Sequence, residues 1–272
     1  MLLMLAVAAN GVVTRPVVNL YSGPSEDQDV VSQAIYATNV SILEEKDGWA
    51  KIQTPDEYTG WTKTADLLKS PPYAGRGKTI QVESLFANVY RETGITKHAP
   101  VITVPYETRL EVVSEADTAD TRWIQVRLPN DSSGWIQRGD VSFDLKKLTI
   151  PETIEFAKRF IGLPYLWGGA SSFGYDCSGY MQMLCRRRGA ALPRDAGPQA
   201  LWSGVVEVSK DELQPGDLLY FGPSEKRITH TGMYIGNGQF INATAYQKPM
   251  IQICDLGDPH WTNLLVASRR LK

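Results

Sequence analysis

The sequence is short of charge imbalance, cysteine, histidine and long apolar runs, and each scarcity removes a class of function. Lys and Arg total 28 against 30 Asp and Glu, for a formal net charge of -2. A near-neutral chain lacks the basic field that phosphate binding uses, so nucleic acid is not an expected partner. No stretch approaches the roughly eighteen apolar residues of a membrane helix, so no span is expected. The three cysteines are Cys177, Cys185 and Cys254. Their odd number and the lack of C-x-x-C spacing argue against a disulfide framework and a zinc cage. Three histidines (His98, His230, His260) without an H-E-x-x-H phrase leave a metal few ligands. No metal and no cofactor are expected. The N-terminus, MLLMLAVAANGVV, opens on nine apolar residues and contains AVAA, which looks like a cleavage site, but it has no preceding Lys or Arg. It reads as an irregular start leading into a strand over Gly11 to Val18, with a signal segment as the alternative. With the unpaired cysteines this leans towards a cytoplasmic location, a secreted or periplasmic one remaining open.

What is present divides along the chain. At 272 residues, two or three domains are expected. The first 145 or so residues alternate short β-branched or aromatic runs (VVTRPVVNLY, SQAIYA, WAKIQT) with turn signals such as SGPSED and KDGW. The pattern occurs twice. NLYSG from Asn19 is echoed by NVYRE from Asn88, and GWAKIQTPDEYTGW (Gly48 to Trp61) by RWIQVRLPNDSSGW (Arg122 to Trp135). Trp49 to Trp61 and Trp123 to Trp135 keep the same spacing. Two diverged copies of one small β-barrel follow, joined by KSPPYAGRGK (Lys69 to Lys78), with the tryptophans as core anchors. The domains are read as 1–70, 71–147 and 148–272.

From Leu148 the character changes. Thr149, Pro151 and Glu152 form a helix start with a capping box. Ile150, Ile154, Ala157, Phe160 and Ile161 are read as its buried stripe, and Gly162 and Pro164 as its stop. A second helix starts near Cys177 and ends at Gly189. LQPGDLLYFG, HTGMYIGNGQFINAT, IQICDL and LLVASRRL then read as antiparallel strands, with Gly236-Asn237-Gly238 as a hairpin turn. The fold class is therefore two small all-β barrels followed by an α+β domain.

Cys177, at a helix N-terminus, is where backbone N–H groups and the dipole favour a thiolate. Cys185, among Met181 and Leu184, and Cys254, alternating with Ile251 and Ile253, read as packing residues. Taken alone, Cys177 could be packing too. His230, opening a strand, supplies a partner: helix-borne Cys and strand-borne His can form an imidazole–thiol pair. Asn242 lies on the return strand after the Gly-Asn-Gly turn, where its amide oxygen could hold the second imidazole N–H and fix the tautomer.

Residues 149 to 272 resemble the NlpC/p60 family of papain-like cell-wall peptidases. The resemblance rests on LPYLWGG (Leu163 to Gly169), YDCSGYM (Tyr175 to Met181), LPRDAGPQ (Leu192 to Gln199), LQPGDLLYF (Leu213 to Phe221), HTGMYIGNGQFINAT (His230 to Thr244) and the terminal Arg269-Arg270. The Gly-Trp strand starts resemble the bacterial SH3-like modules attached to such enzymes, in particular those of γ-D-glutamyl-L-diamino acid endopeptidases. The resemblance implies Cys177 as nucleophile, His230 as general base and Asn242 as imidazole orienter, where many relatives carry a second histidine. It implies that Tyr165 lines the site, the alternative being an aromatic packed under the helix. Asp176 and Ser178 would meet the substrate's N-terminal end, or Asp176 would simply cap the helix. Arg194 and Asp195 align with an R-D-S phrase whose serine is Ala196 here. The first module would close one end of the cleft, with Tyr73 reaching over it, unless PPY is only a stiff linker.

The expected function is a cysteine endopeptidase, acting as a monomer. It would cut the γ-D-Glu–diamino acid bond of murein stem peptides with a free N-terminal L-Ala. The alternatives are a hydrolase of intact murein and an inert wall-binding protein.

Overall fold

The computed structural model describes residues 9–75, 77–115 and 122–272. The chain divides into two compact units, Met1–Leu145 and Lys146–Lys272. The apolar start of the sequence lies outside the described residues up to Ala9. The strand expected over Gly11 to Val18 is two strands, β1 (Ala9–Val13) and β2 (Val17–Tyr21). Pro16 separates them, since proline fixes φ and gives no N–H to a ladder.

The first unit also holds β3 (Val30–Ile35), β4 (Asn39–Lys46), β5 (Trp49–Gln53), β6 (Thr59–Lys63) and β7 (Leu67–Lys69), in the order β3-β2-β6-β5-β4-β1-β7. Next come β8 (Thr79–Val82), β9 (Phe86–Tyr90), β10 (Ile102–Pro105), β11 (Arg109–Glu115), β12 (Trp123–Arg127), β13 (Ser133–Gln137) and β14 (Val141–Ser142), in the order β10-β9-β13-β12-β11-β8-β14. The two orders are the same arrangement, so the sequence repeat is a repeat of topology. Side chains confirm the equivalence. Tyr21 meets Trp49 edge-on at 5.5 Å, and Tyr90 meets Trp123 edge-on at 5.7 Å. Trp61 and Trp123 are buried, whereas Trp49 and Trp135 are half-buried on the outer side of their strands. Val12, Tyr36, Ala37 and Tyr73 join Ile80, Leu110, Val126 and their neighbours in one core, so the two modules share apolar packing.

In the second unit α1 (Ile150–Lys158) starts at the capping box: Thr149 caps Glu152, whose carboxylate accepts the Thr149 N–H at 2.8 Å. Its buried face is Thr153, Phe156 and Ala157, continued by Phe160, and not the stripe through Ile154 and Ile161. The helix stops at Lys158, so Ile161 no longer follows helical spacing and is exposed. Thr153 tolerates burial because its hydroxyl donates to Thr149 O at 2.8 Å. A short hairpin, β15 (Ala170–Ser171) and β16 (Gly174–Tyr175), leads into α2 (Cys177–Arg187). After α3 (Ala196–Ala200) come β17 (Val205–Glu207), β18 (Leu218–Phe221), β19 (His230–Gly236), β20 (Gln239–Thr244), β21 (Met250–Asp255), α4 (Pro259–Leu264) and β22 (Leu265–Leu271). The sheet order is β17-β22-β18-β19-β20-β21. Asn237 and Gly238, with φ of 53° and 72°, make the tight β19–β20 turn. Every residue of α2 from Cys177 to Cys185 is buried, and the helix packs on β19 and β20. Among the described residues, no helix is long and apolar enough to cross a membrane.

Candidate active site

The site begins with the start of α2. Asp176 is its N-cap and accepts the Gly179 N–H at 2.7 Å, which fixes Cys177 as the first helical residue. Gly179 is required by close approach: a Cβ there would lie 2.3 Å from the Gly169 carbonyl oxygen. The phrase Asp-Cys-Ser-Gly thus encodes a cap, a thiol in the first turn and a backbone contact against the preceding hairpin.

Asp176 needs a partner beside a thiol, and the partner is Arg194. The guanidinium donates to Oδ2 at 2.7 Å and Oδ1 at 3.0 Å, with side-chain exposures of 1% for Arg194 and 11% for Asp176. The same guanidinium donates to Ser178 Oγ at 2.9 Å and to Gly169 O at 3.4 Å. Gln199 clips this loop to the helix, its Nε2 donating to Ser178 O at 3.0 Å and Pro193 O at 2.8 Å.

The Cys177 side chain is 8% exposed. Burial, and then the Asp176 charge, push its thiol up to about 12, against the Thr231 N–H, the Arg194 cation and the Ser178 N–H, which act the other way. The depressed thiol expected from the helix terminus is therefore not what the resting site holds. The influence of the Thr231 N–H on the thiol, and the packing of α2 on β19, bring the sulfur beside β19 one residue from His230.

His230 is half-buried at the start of β19, its Nε2 3.0 Å from Asn242 Oδ1 on β20. The Asn242 amide nitrogen donates to Gln252 O at 3.3 Å and to Cys254 Sγ at 3.4 Å. With both amide hydrogens so placed, Oδ1 must face the ring. Nε2 therefore carries the imidazole proton, and Nδ1 is the basic nitrogen. Burial lowers the imidazole pKa to about 4; the Asn242 bond opposes this and His260 adds to it. Trp261, from α4, stacks on the imidazole at 5.0 Å and 29°, and Phe221 lies 5.7 Å from it.

Tyr165 is half-buried, with its N–H donating to Pro249 O at 2.9 Å. Burial and the neighbouring Cys177 and Asp176 hold its phenol protonated, as a hydrogen-bond donor near the thiol. Asp195 is exposed at the start of α3 and makes no side-chain cap there. Tyr73 belongs to the first unit. It is buried in the core shared by the two β modules, its hydroxyl donating to Arg127 O and accepting from the Glu111 N–H at 3.0 Å. That phenol ties the linker to β11 and β12. The sequence reading missed Trp261, Gln199 and the Cys254–Asn242 contact. Asp258-Pro259, a cap followed by a first-turn proline, was the available signal for α4. Among the described residues, no three His, Cys, Asp or Glu side chains converge as metal ligands would.

Comparison with known proteins matches residues 162–270 to the NlpC/P60 family, 20–67 to the bacterial dipeptidyl-peptidase Sh3 domain and 73–142 to the GW (Gly-Tryp) dipeptide domain. The γ-D-glutamyl-L-lysine dipeptidyl-peptidase of Bacillus cereus (strain ATCC 10987 / NRS 248) is 31% identical over 260 residues, covering 88% of this chain and 74% of the relative. The Bacillus subtilis (strain 168) protein of the same name is 29% identical over 258 residues, covering 91% and 83%. The crystal structure of an NlpC/P60 family protein from Bacillus cereus ATCC 10987 superposes with a TM-score of 0.85 at 26% identity, covering 97% of this chain and 99% of that one. With SH3-like barrels leading into an α+β domain that carries a thiol on α2 and an imidazole on β19, the chain belongs to the NlpC/P60 family of cysteine peptidases.

Proposed function

We propose that this chain hydrolyses the γ-D-Glu–diamino acid amide of murein stem peptides that bear a free N-terminal L-Ala, releasing L-Ala-D-Glu. Cys177 is the nucleophile, His230 the base and Asn242 its orienter. The observation that carries the reading is the Asn242–His230 bond on β19 and β20, set beside the thiol-bearing end of α2. The relatives named for γ-D-glutamyl-L-lysine peptides support the bond class.

The chemistry follows from the protonation states. With the thiol pushed up and the imidazole pushed down, both are neutral near pH 7. As sulfur attacks the amide carbonyl, its proton passes to His230 Nδ1, and the imidazolium is stabilised through Nε2–H to Asn242. The Cys177 N–H at the helix start and the Tyr165 hydroxyl are the donors for the oxyanion. Collapse of the tetrahedral intermediate breaks the C–N bond as His230 protonates the leaving amine. Water activated by the same imidazole then cleaves the thioester. Arg194, Ser178 and the Gly179 N–H occupy most acceptor positions of Asp176, and Oδ2 keeps one lone pair for a substrate ammonium. The three cysteines are all free thiols, which suits a reducing compartment, and we place the enzyme in the cytoplasm.

The test is incubation with L-Ala-γ-D-Glu-L-Lys and with its N-acetylated form, following dipeptide release by mass spectrometry. Cleavage of the free-amine peptide alone, abolished in Cys177→Ala, is the expected result. Equal cleavage of both would move the substrate to intact wall. Cleavage of neither by the wild type would overturn the enzymatic assignment of substrate.

A further inference from the structure

Behind the imidazole lies a thiol that the reaction scheme does not use. Cys254 is half-buried on β21, and its register partner across the ladder is Phe240. Its sulfur accepts a hydrogen bond at the back of the site. The donor is Asn242 Nδ2 at 3.4 Å, and the Trp261 indole is a further neighbour of the sulfur. These neighbours are the two groups that hold His230: the amide whose oxygen receives Nε2–H, and the ring stacked on the imidazole face. Burial holds the Cys254 thiol above its ordinary pKa, so the sulfur is a neutral acceptor with two lone pairs and not a second nucleophile.

An amide at position 242 poses a problem that Cys254 solves. Asparagine presents an oxygen on one side and an NH2 on the other, and the flipped orientation would aim donors at the imidazole N–H. Gln252 O satisfies one amide hydrogen. The second acceptor, at Sγ, makes the productive orientation the one in which both amide hydrogens have a partner. Trp261 in turn packs edge-on against Phe221 and Phe240, so its plane and the direction of its N–H are determined by the core under β18 and β20.

We propose that Cys254 is the positioning residue of this catalytic centre: its sulfur, accepting from the Asn242 amide, sets Asn242 Oδ1 towards His230. The inference rests on the assignment of Cys177 and His230 given above. It makes Asn242 and Cys254 a matched pair, in which the acceptor at 254 has value only while the amide stands at 242.

The test is a double-mutant cycle on the full chain with L-Ala-γ-D-Glu-L-Lys as substrate. Cys254→Ala is expected to lower kcat by about tenfold or more with KM within about twofold, since the effect is on the base and not on binding. Cys254→Ser, which keeps a small acceptor, is expected to recover most of that loss. In an Asn242→Ala background, Cys254→Ala should change kcat by less than about twofold, because its partner is already gone. The His230 Nε2–H resonance, slow to exchange in the wild type, should exchange faster in Cys254→Ala. Unchanged kcat in Cys254→Ala, or an equal loss in both backgrounds, overturns the proposal. The two failures separate cleanly: activity that survives Cys177→Ala removes the nucleophile assignment itself. Activity that is lost in Cys177→Ala but untouched in Cys254→Ala removes only the positioning role.

Discussion

Replacing Arg194 by methionine isolates the interaction on which the start of α2 depends. Methionine keeps the length and apolar stem of the side chain, so the change removes charge and donors while leaving little empty volume. The lost contacts are two hydrogen bonds to Asp176, one to Ser178 and one to the Gly169 carbonyl. The pair is almost dry, with 1% and 11% side-chain exposure. Removing one partner of such a pair strands a buried charge and costs about 3–5 kcal/mol, well above the worth of a surface pair. For a domain of this size, each kcal/mol moves Tm by about 3–5 °C, so Arg194→Met should lower the midpoint of the peptidase unit by roughly 10–20 °C. Asp176→Asn in the same chain removes the stranded charge and keeps an N-cap, so the double variant should recover part of the loss. The assay is calorimetry with urea unfolding as a second probe. The stranded carboxylate also raises the Cys177 thiol further, so iodoacetamide labelling of Cys177, quantified by peptide mass spectrometry, should slow. A loss under about 1 kcal/mol, or a double variant no more stable than Arg194→Met, would refute the claim that the pair acts as a desolvated unit.

Two further outcomes follow from the same geometry. Burial depresses the folded-state His230 pKa to about 4, whereas the unfolded chain titrates near 6.5, so the unfolded state takes up the proton first as pH falls. The His230 contribution to stability is complete above about pH 6.5 and disappears as pH drops towards 4. The urea midpoint of the wild type should therefore fall more steeply across that window than that of His230→Gln, and parallel curves would contradict it. Gly179→Ala places a methyl group 2.3 Å from the Gly169 carbonyl oxygen, a backbone atom that cannot swing away. It should destabilise the unit by more than about 2 kcal/mol in the same unfolding assay, and a neutral effect would show that the hairpin yields.

The parts of the fold legible in the sequence are those set by local chemistry repeated at fixed spacing. The twelve-residue separation of the tryptophan pairs carries the strand register of β5–β6 and β12–β13 directly. The Thr149–Glu152 box marks the start of α1, and Asn237-Gly238 marks the β19–β20 turn. Of the expected α1 stripe, Ala157 and Phe160 are buried, whereas Ile161 lies beyond the helix end at Lys158 and is exposed. The contacts of Tyr73 were not legible either. A tyrosine in a Pro-Pro-Tyr linker gives no local sign that its hydroxyl will find Arg127 O and the Glu111 N–H, far along the chain.

The candidate site shows the same division at closer range. Which residues meet was readable, because α2 and the β19–β20 hairpin are each local units with their own caps and turn. How those residues are charged was not. A helix N-terminus favours a thiolate, but the effect falls off within one turn and is worth at most a couple of kcal/mol. Burial of Cys177 on β19, together with the Asp176 carboxylate, acts in the opposite direction and prevails. Neither influence is visible from the neighbours of Cys177 in sequence, since Thr231 and Arg194 reach it only through the tertiary fold. The consequence is chemical. In the proposed mechanism, a neutral thiol beside a neutral imidazole would generate the nucleophile only when a substrate carbonyl receives the sulfur and the proton has somewhere to go. In that mechanism activity depends on keeping Nδ1 of His230 free, and Asn242 at the other nitrogen would perform that service.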